Sequence, residues 1–126
     1  MASNKILNAP PVALTLTLTT NIFNVGGSVL TTAQTGFTFS GLYAVIRHAR
    51  VLNKTGTAAT VSLWKGASAG NVAGTEWNWQ ATSVAANSFL DEYGIARFDT
   101  ADYLVGGAGT VTALTLMLEG EIGVAG

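Results

Sequence analysis

From residue 12 to residue 19 the chain alternates without a break. Val12, Leu14, Leu16 and Leu18 take one parity; Ala13, Thr15, Thr17 and Thr19 take the other. A strand with one buried and one wet face requires this period of two, so the segment predicts the strongest single strand of the chain. The pattern returns near the C-terminus, where Leu114, Leu116 and Leu118 predict an inward row and Ala113, Thr115, Met117 and Glu119 an outward one. Shorter runs fill the interval. Ile22 to Val25 stops at Gly26-Gly27, and Phe37-Thr38-Phe39 alternates before Ser40-Gly41. Further strands are predicted at 42–53, 58–65 and Thr75 to Ala81, then one or two around Gly94 between Phe89 and Phe98, and another near Tyr103 to Val105.

No segment carries a 3.6-residue period over three turns, and no internal repeat is evident. Seven to nine short antiparallel strands between Gly-rich turns predict an all-β, single-domain β-sandwich or jelly roll, with an up-and-down barrel as the alternative. Residues 12–126 form that domain. Residues 1–11, ending in Pro10-Pro11, read as an extended N-terminal arm, because proline cannot donate to a ladder.

Composition sharpens this picture. Charged residues make up 10% of the chain and hydrophobic ones 48%, against roughly 25% charged in an ordinary soluble domain. The surface must therefore be Thr, Ser, Asn, Ala and Gly, and part of it is expected to be covered by other chains. Sister copies, as a homodimer or trimer, are the expected partners. A net charge of −1 and a pI near 5.6 supply no global field for nucleic acid or an anionic membrane, and neither is expected as a partner. The chain has no cysteine, which excludes disulfides and thiolate metal sites. The first residues lack the apolar core of a signal peptide, and no run approaches the ~18 apolar residues of a membrane helix.

Candidate chemistry is sparse. His48 is the single histidine, so a triad or an imidazole metal site would have to use it, and no partnered nucleophile motif accompanies it. Flanked by Arg47 and Arg50, it is expected to have a lowered pKa. Asp91, Glu92, Asp99 and Asp102 cluster in sequence without the spacing of a calcium loop and read as a solvated rim. Gly66, Gly70 and Gly74 lack the lysine and following helix of a phosphate loop. No enzyme, cofactor or metal is expected. Trp77 and Trp79 share a strand face; exposed, they would stack on sugar rings, and buried, they belong to the core.

The segment 45–66 holds four of the six Lys and Arg residues and reads as a β-hairpin broken at Asn53-Lys54-Thr55-Gly56. Alternation places Val45, Ala49, Val51, Val61 and Leu63 inward. His48 and Arg50 then face out between Ile46 and Leu52, with Trp64 nearby. Arg47 falls on the wrong face, which predicts a bulge or a snorkelling side chain. With Ile6 and Leu7 of the arm, this set (Ile46, His48, Arg50, Leu52 and Trp64) is the expected interface.

Arg50-Val51-Leu52-Asn53-Lys54-Thr55-Gly56, Thr60-Val61-Ser62-Leu63-Trp64 and Ser83-Val84-Ala85-Ala86-Asn87 resemble segments of small β-sandwich virion proteins of tailed bacteriophages. Asp102-Tyr103-Leu104 and Leu116-Met117-Leu118-Glu119-Gly120 continue the likeness, which spans about residues 42–122 through short, degenerate motifs. The resemblance implies a head decoration or cement protein, made in the host cytoplasm and bound outside the capsid, where it clamps major capsid protein subunits. It offers no catalytic residues. A carbohydrate- or receptor-binding sandwich of the tail or fibre, using Trp77 and Trp79, is the alternative.

Overall fold

A computed structural model describes residues 5–7, 11–25, 42–99, 101–109 and 114–124. The described residues form nine strands and no helix: β1 (Lys5–Leu7), β2 (Val12–Ala13), β3 (Asn21–Asn24), β4 (Leu42–Asn53), β5 (Ala59–Gly66), β6 (Thr82–Val84), β7 (Ser88–Asp99), β8 (Tyr103–Ala108) and β9 (Leu114–Val124). The first sheet runs β1-β9-β4-β7, with β2 also on β9; the second runs β3-β8-β5-β6. Every pairing between strands is antiparallel. The pairs β2–β9, β3–β8, β4–β7 and β5–β6 nest inside one another along the chain, and the two sheets exchange strands at nearly every connection. That winding is a jelly roll, the two-sheet solution to a chain of short alternating strands.

Inward residues of both sheets meet in one core. Val51, Phe98, Leu116 and Ile122 come from the first sheet, and Phe23, Val61, Leu63 and Leu104 from the second. Phe98 lies edge-on to Phe23, 5.6 Å between centroids, and to Trp77 at 5.7 Å. The Leu114, Leu116, Leu118 row is buried and Thr115, Met117 and Glu119 face out, as the alternation predicts.

Several expectations change. The alternating segment 12–19 is a strand only at Val12–Ala13. Leu14 still donates its N–H to Leu114 and is buried, but then the Thr15 and Thr20 hydroxyls bond each other and the Thr17 carbonyl. Threonine hydroxyls compete here with the ladder, and the chain crosses to the second sheet. Gly107 admits the crossing, since a Cβ there would lie 2.4 Å from the Thr15 carbonyl oxygen.

Thr75 to Ala81 is not a strand either. Asn78 and Ala81 adopt positive φ, 63° and 47°, and one isolated bridge joins Glu76 to Trp64. Phe89 to Phe98, by contrast, lies within one unbroken strand of 12 residues. Phe37 to Phe39 lies outside the described residues.

The largest change concerns the hairpin. The bounds of β4 match the sequence reading and β5 starts and ends one residue later than expected, yet the two strands do not pair: β4 lies between β7 and β9, and β5 between β6 and β8. Asn53 makes the connection an arch. Fully buried, it donates to the carbonyls of Thr57 and Val84 and accepts from the N–H and hydroxyl of Thr55. All its polar capacity is spent turning the chain from one sheet to the other.

The arm is also part of the sandwich where it is described, for Lys5–Leu7 pairs with β9 as an edge strand.

Candidate functional site

The β4 register shifts between Ile46 and His48 against both neighbours, so Arg47 and His48 both point outward. The wrong-face arginine thus marks a bulge, and the bulge reverses parity before it. Ala44 and Ile46 turn inward while Val45 is half-exposed. Gly120 permits the distortion, because a Cβ there would meet the Val45 carbonyl oxygen at 1.9 Å.

Past the bulge, the outer face of the first sheet is built in rows set by the register: Phe89–Leu52–Thr115, Asp91–Arg50–Met117 and Tyr93–His48–Glu119. These rows bring opposite charges together. Arg50 grips Asp91 with two nitrogens, at 2.7 and 3.0 Å. His48 sits between two carboxylates, Nδ1 2.6 Å from Glu119 and Nε2 2.8 Å from Asp91. Its ring stacks on Tyr93, 4.4 Å between centroids and 6° from parallel. Arg50 lies 4.4 Å over the Phe89 ring, and Arg97 pairs with Asp99 while covering Tyr43. Beyond the bulge, Arg47 meets Glu121 at 2.5 Å.

This geometry reverses the expected histidine shift. Desolvation would lower the His48 pKa, but hydrogen bonds to Glu119 and Asp91, with the charges of both, outweigh it and raise the pKa above 6.5. The Arg50 hydrogen bonds lower Asp91 to about 2, against burial that opposes them and with help from His48. A protonated imidazole satisfies both carboxylates; a neutral one has a single N–H and serves one. Chemically, the cluster holds charge in place. Its two ring nitrogens face apart, so the donors do not converge, and among the described residues no group of three His, Cys, Asp or Glu could hold a metal ion.

A shallow groove of about 630 Å³ crosses this face, lined by Ile6, Arg47, His48, Arg50, Tyr93 and Met117 among others. It unites the arm with the basic pair, although 39 or more residues separate them in sequence. Ile6 is 81% exposed, Ile95 76% and Tyr93 69%. Of the expected interface set, Ile6, His48, Arg50 and Leu52 share this face. Three members do not stand on an open surface. Ile46 is buried inward by the bulge, and Leu7 is buried in the strand opposite Gly120. Trp64 is buried on β5, in the other sheet, because the hairpin that would have brought it near does not form.

Sequence reasoning missed the role of Phe89, Asp91, Tyr93 and Glu119 beside β4. Their outward parity was readable, but their partners depend on the register. Trp79 is buried and Trp77 packs edge-on against Phe98, so the pair presents no common platform for a sugar ring. Comparison with protein-family models, curated proteins and solved structures finds no match for the chain.

Proposed function

We propose that the protein is a structural component of a tailed-phage virion, acting as a decoration or cement protein that binds the capsid exterior and clamps major capsid subunits. The observation that carries this reading is the outer face of the first sheet, where Ile6, Phe89, Tyr93 and Ile95 stand exposed among side chains whose charges are already paired. Aromatic residues and arginine in such a mixture suit a protein interface. Charges satisfied within the face lose less on desolvation than free ones do. The low overall charge fits close packing on a shell, and many weak contacts on one particle add through multivalency. The resemblance of short segments of the chain to small phage sandwich proteins is consistent with this reading.

The test mixes the purified protein with undecorated phage heads and follows co-sedimentation and heat resistance of the particles. Saturable binding that Tyr93→Ala and Phe89→Ala weaken is expected. Absence of binding to heads would overturn the cement reading, and absence from tails as well would overturn the virion assignment.

A further inference from the structure

Among the described residues the sandwich has four sheet edges, and they are unequal. β1 and β2 have three and two residues, β6 has three, and β3 has four with an irregular register. Short or bulged edges are the usual defence against pairing with another chain. β7 is different. It is the other edge of the first sheet and runs for 12 residues. Among the described residues, the main chain from Ser88 to Phe98 pairs with β4, except at Gly94 and Ile95 where the register shifts, and bonds to nothing on its free side.

We propose that β7 is the seam of a two-fold homodimer, pairing antiparallel with β7 of a second copy to make one continuous sheet. The pattern along the strand selects both the partner and the register. Phe89, Asp91, Tyr93, Ile95, Arg97 and Asp99 share the outer face. A two-fold axis at Gly94 sets Asp91 opposite the partner's Arg97 and Tyr93 opposite the partner's Ile95, each twice. Moving the axis to Tyr93 sets Asp91 against the partner's Ile95. Moving it to Ile95 sets Asp91 against the partner's Asp99, two like charges. Opposite charges and apolar pairs directly across strands stabilise a sheet, and like charges destabilise it. The Gly94 axis is therefore the complementary register for a second copy of this chain.

At the two ends of the seam Phe89 falls opposite the partner's Asp99, and the groups nearer the axis agree with the register. Arg97 holds Asp99 through one carboxylate oxygen, and a guanidinium with five donors can accept a second carboxylate. Glu92 falls opposite the partner's Ala96, a small residue that leaves its carboxylate open to water. Setting Tyr93 beside the partner's Ile95 covers one flank of two of the most exposed apolar side chains of the chain and leaves their outer sides open. The seam is independent of any capsid, and its test uses the protein alone.

Sedimentation velocity over a range of concentrations is expected to show a dimer. Because the chain has no cysteine and a Cβ at Gly94 meets nothing within 4 Å, Gly94→Cys introduces one accommodated thiol on the axis. Mild oxidation should convert most of it to a covalent dimer. Glu92→Cys should not cross-link, since its two copies would stand roughly 13 Å apart along the strands, beyond disulfide reach. Arg97→Glu, which sets like charges across both pairs, should raise the dimer dissociation constant about tenfold. A monomer at every concentration would overturn the proposal. So would an assembly in which Gly94→Cys cross-links no faster than Glu92→Cys.

Discussion

β4 and β5 follow one another in the chain, share a β-branched and apolar character, and lie five residues apart, yet they end in different environments. β4 is central in the first sheet and carries an outer face of paired charges and stacked rings. β5 is central in the second sheet, and its alternate positions Ser62 and Trp64 are both buried. The difference teaches that the cations of β4 are not a free basic patch. Each arginine and histidine of that strand has a carboxylate from a neighbouring strand within 3 Å. Long-range attraction for polyanions is cancelled locally, and what the face offers a partner is shape and exposed apolar area.

The comparison can be broken first at the core that joins the two strands' sheets. Phe98→Ala removes a ring fully buried between them, in contact with Phe23 and Trp77. A loss of about 3–5 kcal/mol is expected from denaturant unfolding. Asn53→Ala attacks the arch that separates β4 from β5, leaving the buried Val84 carbonyl and the Thr55 donors without their partner. A loss of about 2–3 kcal/mol is expected in the same measurement. A change under about 0.5 kcal/mol would show that the arch does not depend on Asn53.

The ionic face is sharpened by pH. The His48 pKa is raised in the fold, so its contribution to stability is complete below 6.5 and is lost as pH climbs through the raised value. The melting temperature should fall across that window, and His48→Gln should flatten the profile. With one histidine in the chain, its ring resonances report the pKa directly, and a value at or below 6.5 would contradict the two-carboxylate geometry. Asp91 works in the other direction. Held down to about 2, it contributes stability above 3.8 that disappears only as pH falls through about 2. The smallest effect belongs to Arg47→Ala, whose pair with Glu121 is half-exposed; unfolding should change by about 0.5 kcal/mol or less.

Much of the fold was legible locally. The C-terminal leucine row and the bounds of β4 follow from parity, β5 lies within one residue of its expected bounds, and parity narrowed Arg47 to a bulge or a snorkelling side chain, of which the structure has the bulge. The segment 12–19 misled because threonine satisfies alternation equally well when its hydroxyl caps a turn, as Thr15 and Thr20 do. The hairpin misled because five connecting residues suit an arch as readily as a turn, and nothing local distinguishes them. Asp91 could be seen as an acid and His48 as a histidine, but their meeting depends on how β4 registers on β7.

By itself the sequence determined the all-β class, the parity of its long strands and the scarcity of charge, because these depend on side-chain chemistry within a few residues. The tertiary structure alone decided the jelly-roll order, the partners of His48 and Arg50, the burial of Ile46 and Trp64, and the long free edge of β7. Each of these depends on contacts between segments tens of residues apart, where backbone hydrogen bonding is the same for any pairing. There the choice rests on how the whole core packs.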